Sequence, residues 1–300
     1  MTHPLAGSSG KASPPSAGHA ASGLAITRLG SFVGAEISGI DLAHPLDDAS
    51  RDTIASALAE YGVVFFRDQD LTPAEQIAFA ERFGRIDINR FFRPVEGYPQ
   101  IAEVRKEAHQ SANIGSNWHT DHSYDQEPAK GSILYAREVP TVGGDTLFAS
   151  MYAAYNALSD GLKATLAPLK ALHSSRHVFG VESRSLATND LKGRILNPEA
   201  ATQDAVHPVV ITHPESGRKA LYVNPNFTLR IEGWTEAESA ALLGYLYEHA
   251  RRPEFAYRFR WEPGSIAFWD NRATWHLALN DYHGERRLMH RITIAGGALH

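Results

Sequence analysis

The sequence predicts a mainly β protein with flanking helices, a jelly-roll or barrel whose open mouth is a natural ligand site. Three observations point there. Short runs rich in Val, Ile, Phe and Tyr recur along the chain, bounded by Gly, Pro, Asn or Asp. Only a few stretches combine a capping residue with helical spacing of apolar positions. The last run, 286–295, alternates with period two: Arg287, Met289, Arg291 and Thr293 share one face, and Leu288, His290, Ile292 and Ile294 the other.

Taken in order, residues 1–22 are Gly, Ala, Ser, Pro and His with almost no large apolar side chain, so they read as a disordered tail. Residues 23–300 then form one domain. Short strands broken by Gly30, Gly34 and Gly39 lead to a helix over 49–61, with Ile54 and Leu58 on one face, and to a buried strand, Val63–Phe66. Thr72-Pro73-Ala74-Glu75 is a capping box with Pro at the first helical position, and Gly84 is the expected left-handed stop. Strands follow at 100–106, 132–136 and 145–149, with 107–116 a mobile approach to the motif after it.

Ser150 and Ser159 open helices over 150–158 and 159–172. The stretch 174–205 is polar and irregular, too long for a plain connection, and reads as a lid. Residues 209–212 and 219–224 flank a turn as a hairpin. Thr235 caps a helix to His249. Phe255, Tyr257, Phe259 and Trp261 alternate along a strand, and 265–269 returns.

Composition removes several function classes. The formal net charge is −5, without a long basic block, which argues against nucleic acid as a partner. No run approaches the roughly 18 apolar residues of a membrane span, and the N-terminus lacks the regions of a signal peptide. Cys is absent, so there is no disulfide framework, Cys-based zinc site or thiol nucleophile, in keeping with a reducing cytoplasm. No Ser-centred elbow motif supports a hydrolase.

The chemistry centres on Trp118-His119-Thr120-Asp121-His122. In an extended strand, side chains two apart point the same way, so His119 and Asp121 would reach one point while Thr120 and His122 face away. With His276 as a third ligand from far down the chain, two imidazoles and a carboxylate would hold one side of a ferrous ion and leave the other positions open. Spacing alone is a weak signal. Three His-x-acid pairs occur, at His119/Asp121, His213/Glu215 and His283/Glu285, where chance gives about two. The second and third sit in turns.

Arg287 and Arg291 on one face of an apolar strand also need a reason. They lie roughly 13 Å apart along it. If that face is interior, both guanidiniums require anions and would suit carboxylate- or sulfonate-bearing ligands. The plainer alternative is that they face solvent or pair with Asp or Glu. His173 and His177 read as loop residues, Trp118 and Trp275 as packing supports, Asp270 and Asn271 as fixing a turn, and His290 as core.

Asn117-Trp118-His119-Thr120-Asp121, Gly143-Gly144-Asp145-Thr146-Leu147, Trp269-Asp270-Asn271-Arg272 and His276 followed by Arg287 and Arg291 occur in that order. Together they resemble the iron(II)/2-oxoglutarate dioxygenases related to taurine dioxygenase and 2,4-dichlorophenoxyacetate dioxygenase, over about residues 24–297. The resemblance implies a double-stranded β-helix. It makes His119, Asp121 and His276 the metal ligands and catalytic set. Arg287 and Thr146 would hold the distal carboxylate of 2-oxoglutarate, and Arg291 the acidic group of a small anionic substrate. Fe(2+), 2-oxoglutarate and O2 are the implied cofactor and co-substrates, succinate and CO2 the by-products. Relatives form dimers or tetramers, which implies a homodimer or homotetramer. Where the taurine enzyme touches its substrate with a His, a Tyr and an Asn, this chain aligns Asn89, Phe92 and Gly115. That departure argues against taurine and for an organic acid with an apolar body, of aryloxyalkanoate or alkyl sulfate/sulfonate type, hydroxylated or cleaved. The alternative is a non-catalytic jelly-roll sensor that binds a metal and a small acid.

Overall fold

A computed structural model describes residues 23–181, 183, 191 and 193–300. The expected tail, 1–22, and much of the centre of the expected lid lie outside the described residues.

The chain runs β1 (Ala25–Arg28), β2 (Ala35–Ser38), α1 (Asp48–Tyr61), β3 (Val63–Phe66), α2 (Pro73–Glu81), β4 (Ile86–Asp87), β5 (Pro94–Val95), β6 (Tyr98–Lys106), β7 (Gly131–Glu138) and β8 (Thr146–Ser150). Next come α3 (Met151–Asn156), α4 (Asp160–Leu166), β9 (Lys170–Ser174), α5 (Arg176–Phe179), β10 (Asp204–Pro208), β11 (Val210–Thr212), β12 (Lys219–Leu221) and β13 (Thr228–Ile231). The chain finishes with α6 (Glu236–Ala250), β14 (Ala256–Phe259), β15 (Ile266–Asp270), β16 (Thr274–Ala278) and β17 (Arg287–Ile294).

Two sheets make the frame. The larger is ordered β1-β2-β3-β15-β7-β17-β6-β5, with β4 also on β17; the smaller is β14-β8-β16. Period-two alternation sorts the larger sheet's side chains. Val63, Phe65, Leu134, Ala136, Ala267, Trp269 and Met289 point inward and share a core with Phe148 and Phe259 of the smaller sheet. Val64, Phe66, Ile133, Tyr135, Ile266, Phe268, Ile292 and Ile294 point outward and are covered by Ile54 and Leu58 of α1 and Phe79 of α2. This is the expected jelly-roll with helices outside. It puts Arg287 and Arg291, which share the face of Met289, between the sheets.

Capping accounts for the helices. Asp47 accepts the N–H of Ser50 at α1, and both Thr72 and Thr235 form complete capping boxes with Glu75 and Glu238. Three expectations fail. The helix read over 159–172 stops at Leu166, and 170–174 is a strand paired with β10 and β13. Pro168 supplies the reason: it cannot continue the helical ladder and disfavours helix in the residue before it. The second helix ends at Glu81 with Arg82 as its cap, so Gly84 is not a left-handed C-cap. Within 174–205, α5 and a 3-10 turn at Pro198–Ala200 are ordered, and β10 begins at Asp204. His173 lies in β9, fully buried, and His177 on α5 bonds the Asn226 carbonyl, so neither sits in a loop.

Candidate active site

His119 and His276 are joined through the main chain. Each backbone N–H donates to the other's carbonyl, at 3.1 and 2.8 Å, in an isolated antiparallel bridge. That bridge is all the strand there is at the motif: Asp121 already lies in a turn, and His122 has φ +59°. The expected convergence of His119 and Asp121 occurs, but a bridge followed by a turn produces it rather than a strand. Rings 119 and 276 have centroids 4.0 Å apart. His119 Nε2 is 3.8 Å from Asp121 Oδ1, and His276 Nε2 is 3.9 Å from Oδ2. One donor atom from each of the three lies within 4.8 Å of the others.

The protonation states suit a cation. His119 Nδ1 donates to the Asn117 carbonyl at 2.7 Å, which leaves the lone pair on Nε2, the nitrogen facing Asp121. Burial pushes both imidazoles below their usual range, His276 further because His119 is beside it, so both are neutral at pH 7. For Asp121, burial pulls the carboxyl upward, but Arg291, His276 and His119 outweigh it and hold it well below the ordinary carboxylate range. Two neutral nitrogens and a carboxylate on one side of a point are a donor set that a divalent iron fits. His276 Nδ1 has no partner among the described residues; Trp269, with its ring centroid 4.7 Å away, holds that ring by packing.

The three donors open into a cavity of about 420 Å³, whose lining includes Arg287, Arg291, Thr146, Phe92, Phe179 and Phe227. Arg287 is 3% exposed, and its Nε and Nη2 are buried without hydrogen-bond partners among the described residues. Burial pushes this guanidinium below its usual range, partly offset by Tyr282 and Asp145. A buried, unsatisfied guanidinium is too costly to keep without an anion that uses it. Thr146 Oγ1 accepts the indole N–H of Trp261 at 2.9 Å. Indole can only donate, so the threonine's own proton remains available to an acceptor.

Arg291 is 8% exposed and differently placed. Its Nη1 donates to Asp121 Oδ1 at 3.1 Å, its guanidinium carbon lies 4.9 Å from the Phe92 ring centroid, and its Nε has no partner among the described residues. Beyond it the wall is apolar. Phe91, Phe92, Tyr124, Phe179, Ile195 and Phe227 form one buried cluster, with Phe91 and Phe179 stacked at 4.5 Å.

The expected site residues are thus mostly brought together. Gly115 (φ +81°) lies against His119, where a Cβ would sit 3.4 Å from Cε1. Asn89 stands apart: it does not line the cavity, and its Oδ1 accepts the N–H groups of Phe91 and Phe92. Its role is to turn the backbone that presents Phe92, so a direct substrate contact from Asn89 is not what the geometry offers. The rival pair His213/Glu215 clusters with Asp270, but Arg272 fills that group with a fixed cation, 2.6 Å from Asp270 and 2.8 Å from Glu215. His283 is an exposed loop residue. His122 faces Asp125, away from the three donors, at 3.0 Å. Sequence reasoning missed Tyr124, Phe179 and Phe227 as cavity walls. It also missed Lys106, which is buried, donates to Asn280 and lies 4.1 Å from the Tyr282 ring centroid.

Comparison with known proteins agrees with this geometry. Residues 25–293 match the family model described as taurine catabolism dioxygenase TauD, TfdA family. The chain belongs to the TauD/TfdA family. An alkylsulfatase of Acinetobacter baylyi is 37% identical over 275 residues, 91% of this chain and 85% of that relative. An (S)-phenoxypropionate/alpha-ketoglutarate-dioxygenase of Sphingobium herbicidovorans is 35% identical, covering 90% of this chain and 94% of the relative. The crystal structure of a taurine dioxygenase from Burkholderia xenovorans superposes with a TM-score of 0.78 at 36% identity, covering 92% of each chain. This TauD/TfdA member is an oxidoreductase, a 2-oxoglutarate-dependent dioxygenase that uses iron(II), 2-oxoglutarate and O2. The non-catalytic sensor is the reading these relatives do not support. Among the described residues no helix is long and apolar enough to cross a membrane.

Proposed function

We propose that this dioxygenase oxidises a small organic anion with an apolar body, of the alkyl sulfate, sulfonate or aryloxyalkanoate type, and that His119, Asp121 and His276 hold its iron(II). Arg287 and the Thr146 hydroxyl grip the distal carboxylate of 2-oxoglutarate. Arg291 receives the acidic group of the substrate, and Phe92, Phe179, Phe227 and Tyr124 enclose its apolar body. The observation that carries this reading is Arg287: a buried guanidinium with open donors, in the same cavity as two neutral imidazoles and a carboxylate.

Iron(II) bound there supplies the centre at which 2-oxoglutarate and O2 yield succinate and CO2 while a substrate C–H bond is oxidised. The chain's own residues do the rest. Arg287 and Thr146 fix the diacid at its far end, so its keto-acid end faces the three donors. Arg291 anchors the substrate anion beside Asp121, which brings a neighbouring carbon to the reactive side, catalysis by positioning. The aromatic wall excludes water around that carbon. Where the oxidised carbon bears a heteroatom, the hydroxylated product collapses and releases a fragment.

The substrate class is supported by a cavity in which Arg291 is the cation left for a substrate once Arg287 takes the diacid, by the aromatic wall beside it, and by relatives named for alkyl sulfate and phenoxypropionate substrates. Asn89, Phe92 and Gly115 stand where the taurine enzyme aligns its His, Tyr and Asn contacts, which argues against taurine. The same reading includes one domain over 23–300, a homodimer or homotetramer and a cytoplasmic location. The test is succinate formation from 2-oxoglutarate with ferrous ion and ascorbate across sulfate esters, sulfonates, aryloxy acids and taurine. Turnover is expected with at least one apolar acid and not with taurine; no succinate with any member would overturn the reading.

A further inference from the structure

The carboxylate of Asp121 is held by a chain of hydrogen bonds whose direction is fixed at every link. Trp269 Nε1 donates to Asn271 Oδ1 at 2.9 Å, and the backbone N–H of Asp121 points to the same oxygen at 3.3 Å. Both groups can only donate, so the amide oxygen must face them and its NH2 must face the other way. That Nδ2 donates to Ser132 Oγ at 3.1 Å. Ser132 therefore accepts from Asn271 and has one proton left, which goes to Asp121 Oδ2 at 2.8 Å. Ser132, Asn271 and Trp269 are each no more than 1% exposed, so no solvent competes for these bonds.

The frame holds each member. Ser132 lies on β7 opposite both Trp269 of β15 and Thr293 of β17, in the middle of the large sheet. Asn271 sits in the turn after β15, where Asp270 accepts the Arg272 N–H at 2.9 Å and binds its guanidinium. Thr120 ties the motif to that turn through the Asn271 carbonyl. Asp121 itself has no strand to orient it.

We infer that Ser132, itself fixed by Asn271, is a positioning residue that sets the orientation of the Asp121 carboxylate and so the affinity of the site for its metal. The inference rests on the proposed ligand set. With Oδ2 tied to Ser132 and Oδ1 facing both His119 and Arg291, the carboxylate cannot rotate freely, and its ordering is completed before a cation arrives. Groups that orient ligands in this way change metal affinity by about 10–100-fold when removed.

The test is Co(II) binding to the full chain, followed by calorimetry and by the visible spectrum of the ion, with Ser132→Ala, Ser132→Thr and Ser132→Val. Thr keeps the hydroxyl, and Val matches its shape without it. Ser132→Ala is expected to bind Co(II) about 10–100-fold more weakly than the natural chain, with an altered spectrum. Thr should bind more tightly than Val by a similar factor, so if the Ala variant fails to fold, the Thr/Val pair decides. Equal Co(II) affinity in Ser132→Ala and the natural chain, or in the Thr and Val variants, would overturn the inference. Failure of the natural chain to bind Co(II) would instead overturn the ligand set, and with it this inference.

Discussion

Arg287 and Arg291 stand four residues apart on one strand, on one face, in one cavity, yet their surroundings differ. Arg287 is buried, with two nitrogen atoms unpartnered and no carboxylate bonded to it among the described residues. Arg291 bonds the carboxylate of Asp121 and lies against Phe92. On the proposed roles, the difference teaches how one strand would serve two ligands. A fixed co-substrate would be met by a charge left waiting, because the same diacid always arrives. A variable substrate would be met by a charge already compensated, which an incoming anion shares rather than rescues.

The largest expected effect breaks the comparison at Arg287. Arg287→Ala should raise the KM for 2-oxoglutarate by roughly 10²–10³, the loss of one partner from a buried charge pair, in steady-state succinate assays. Arg291→Ala should leave 2-oxoglutarate binding within a few-fold, raise the substrate KM by about 10–100-fold, and uncouple succinate formation from substrate oxidation. Stability should move in opposite directions. Freed of metal and 2-oxoglutarate, Arg287→Met removes an uncompensated charge and should stabilise by about 1–3 kcal/mol, while Arg291→Met strands Asp121 and should destabilise by a similar amount, read by denaturant melts.

The opposite face of the strand sharpens the contrast. His290 is half-buried against α2, its carbonyl bonded by Gln76, and burial, aided by Arg137, pushes its imidazole down to about 4. A histidine lowered in the folded state is neutral in both states above its unfolded value near 6.5 and costs nothing there. As pH falls from about 6.5 to about 4 the unfolded chain takes up the proton first, so stability is lost over that window, by no more than about 3 kcal/mol and less once solvent screening of this half-exposed ring is counted. His290→Gln should flatten that part of the stability–pH curve. A smaller change should follow from Phe179→Ala, which opens the apolar wall and should shift preference toward bulkier acids by about tenfold in kcat/KM.

Much of this was legible in the sequence because it rests on short periods. Alternation placed Arg287, Met289 and Arg291 together, and the capping boxes at Thr72 and Thr235 marked two helix starts. His119 and Asp121 do converge, but not for the reason the alternation gave, since Asp121 is placed by a turn and by Ser132 and Asn271, partners whose approach needs the whole sheet. Apart from Phe92, the aromatic wall was hidden for the same cause: Tyr124, Phe179 and Phe227 are far apart in sequence, and nothing local marks them as neighbours. Asn89 aligned with a substrate contact but serves the backbone. At β9 the error was local, a helical pattern read through Pro168.

The most direct test of the central claim is titration of 2-oxoglutarate into the Mn(II)-loaded protein, set beside its ester at the distal carboxylate. The account predicts saturable binding of the diacid, lost with the ester and lost again in Arg287→Ala. Equal affinity for diacid and ester, or full affinity in Arg287→Ala, would contradict it.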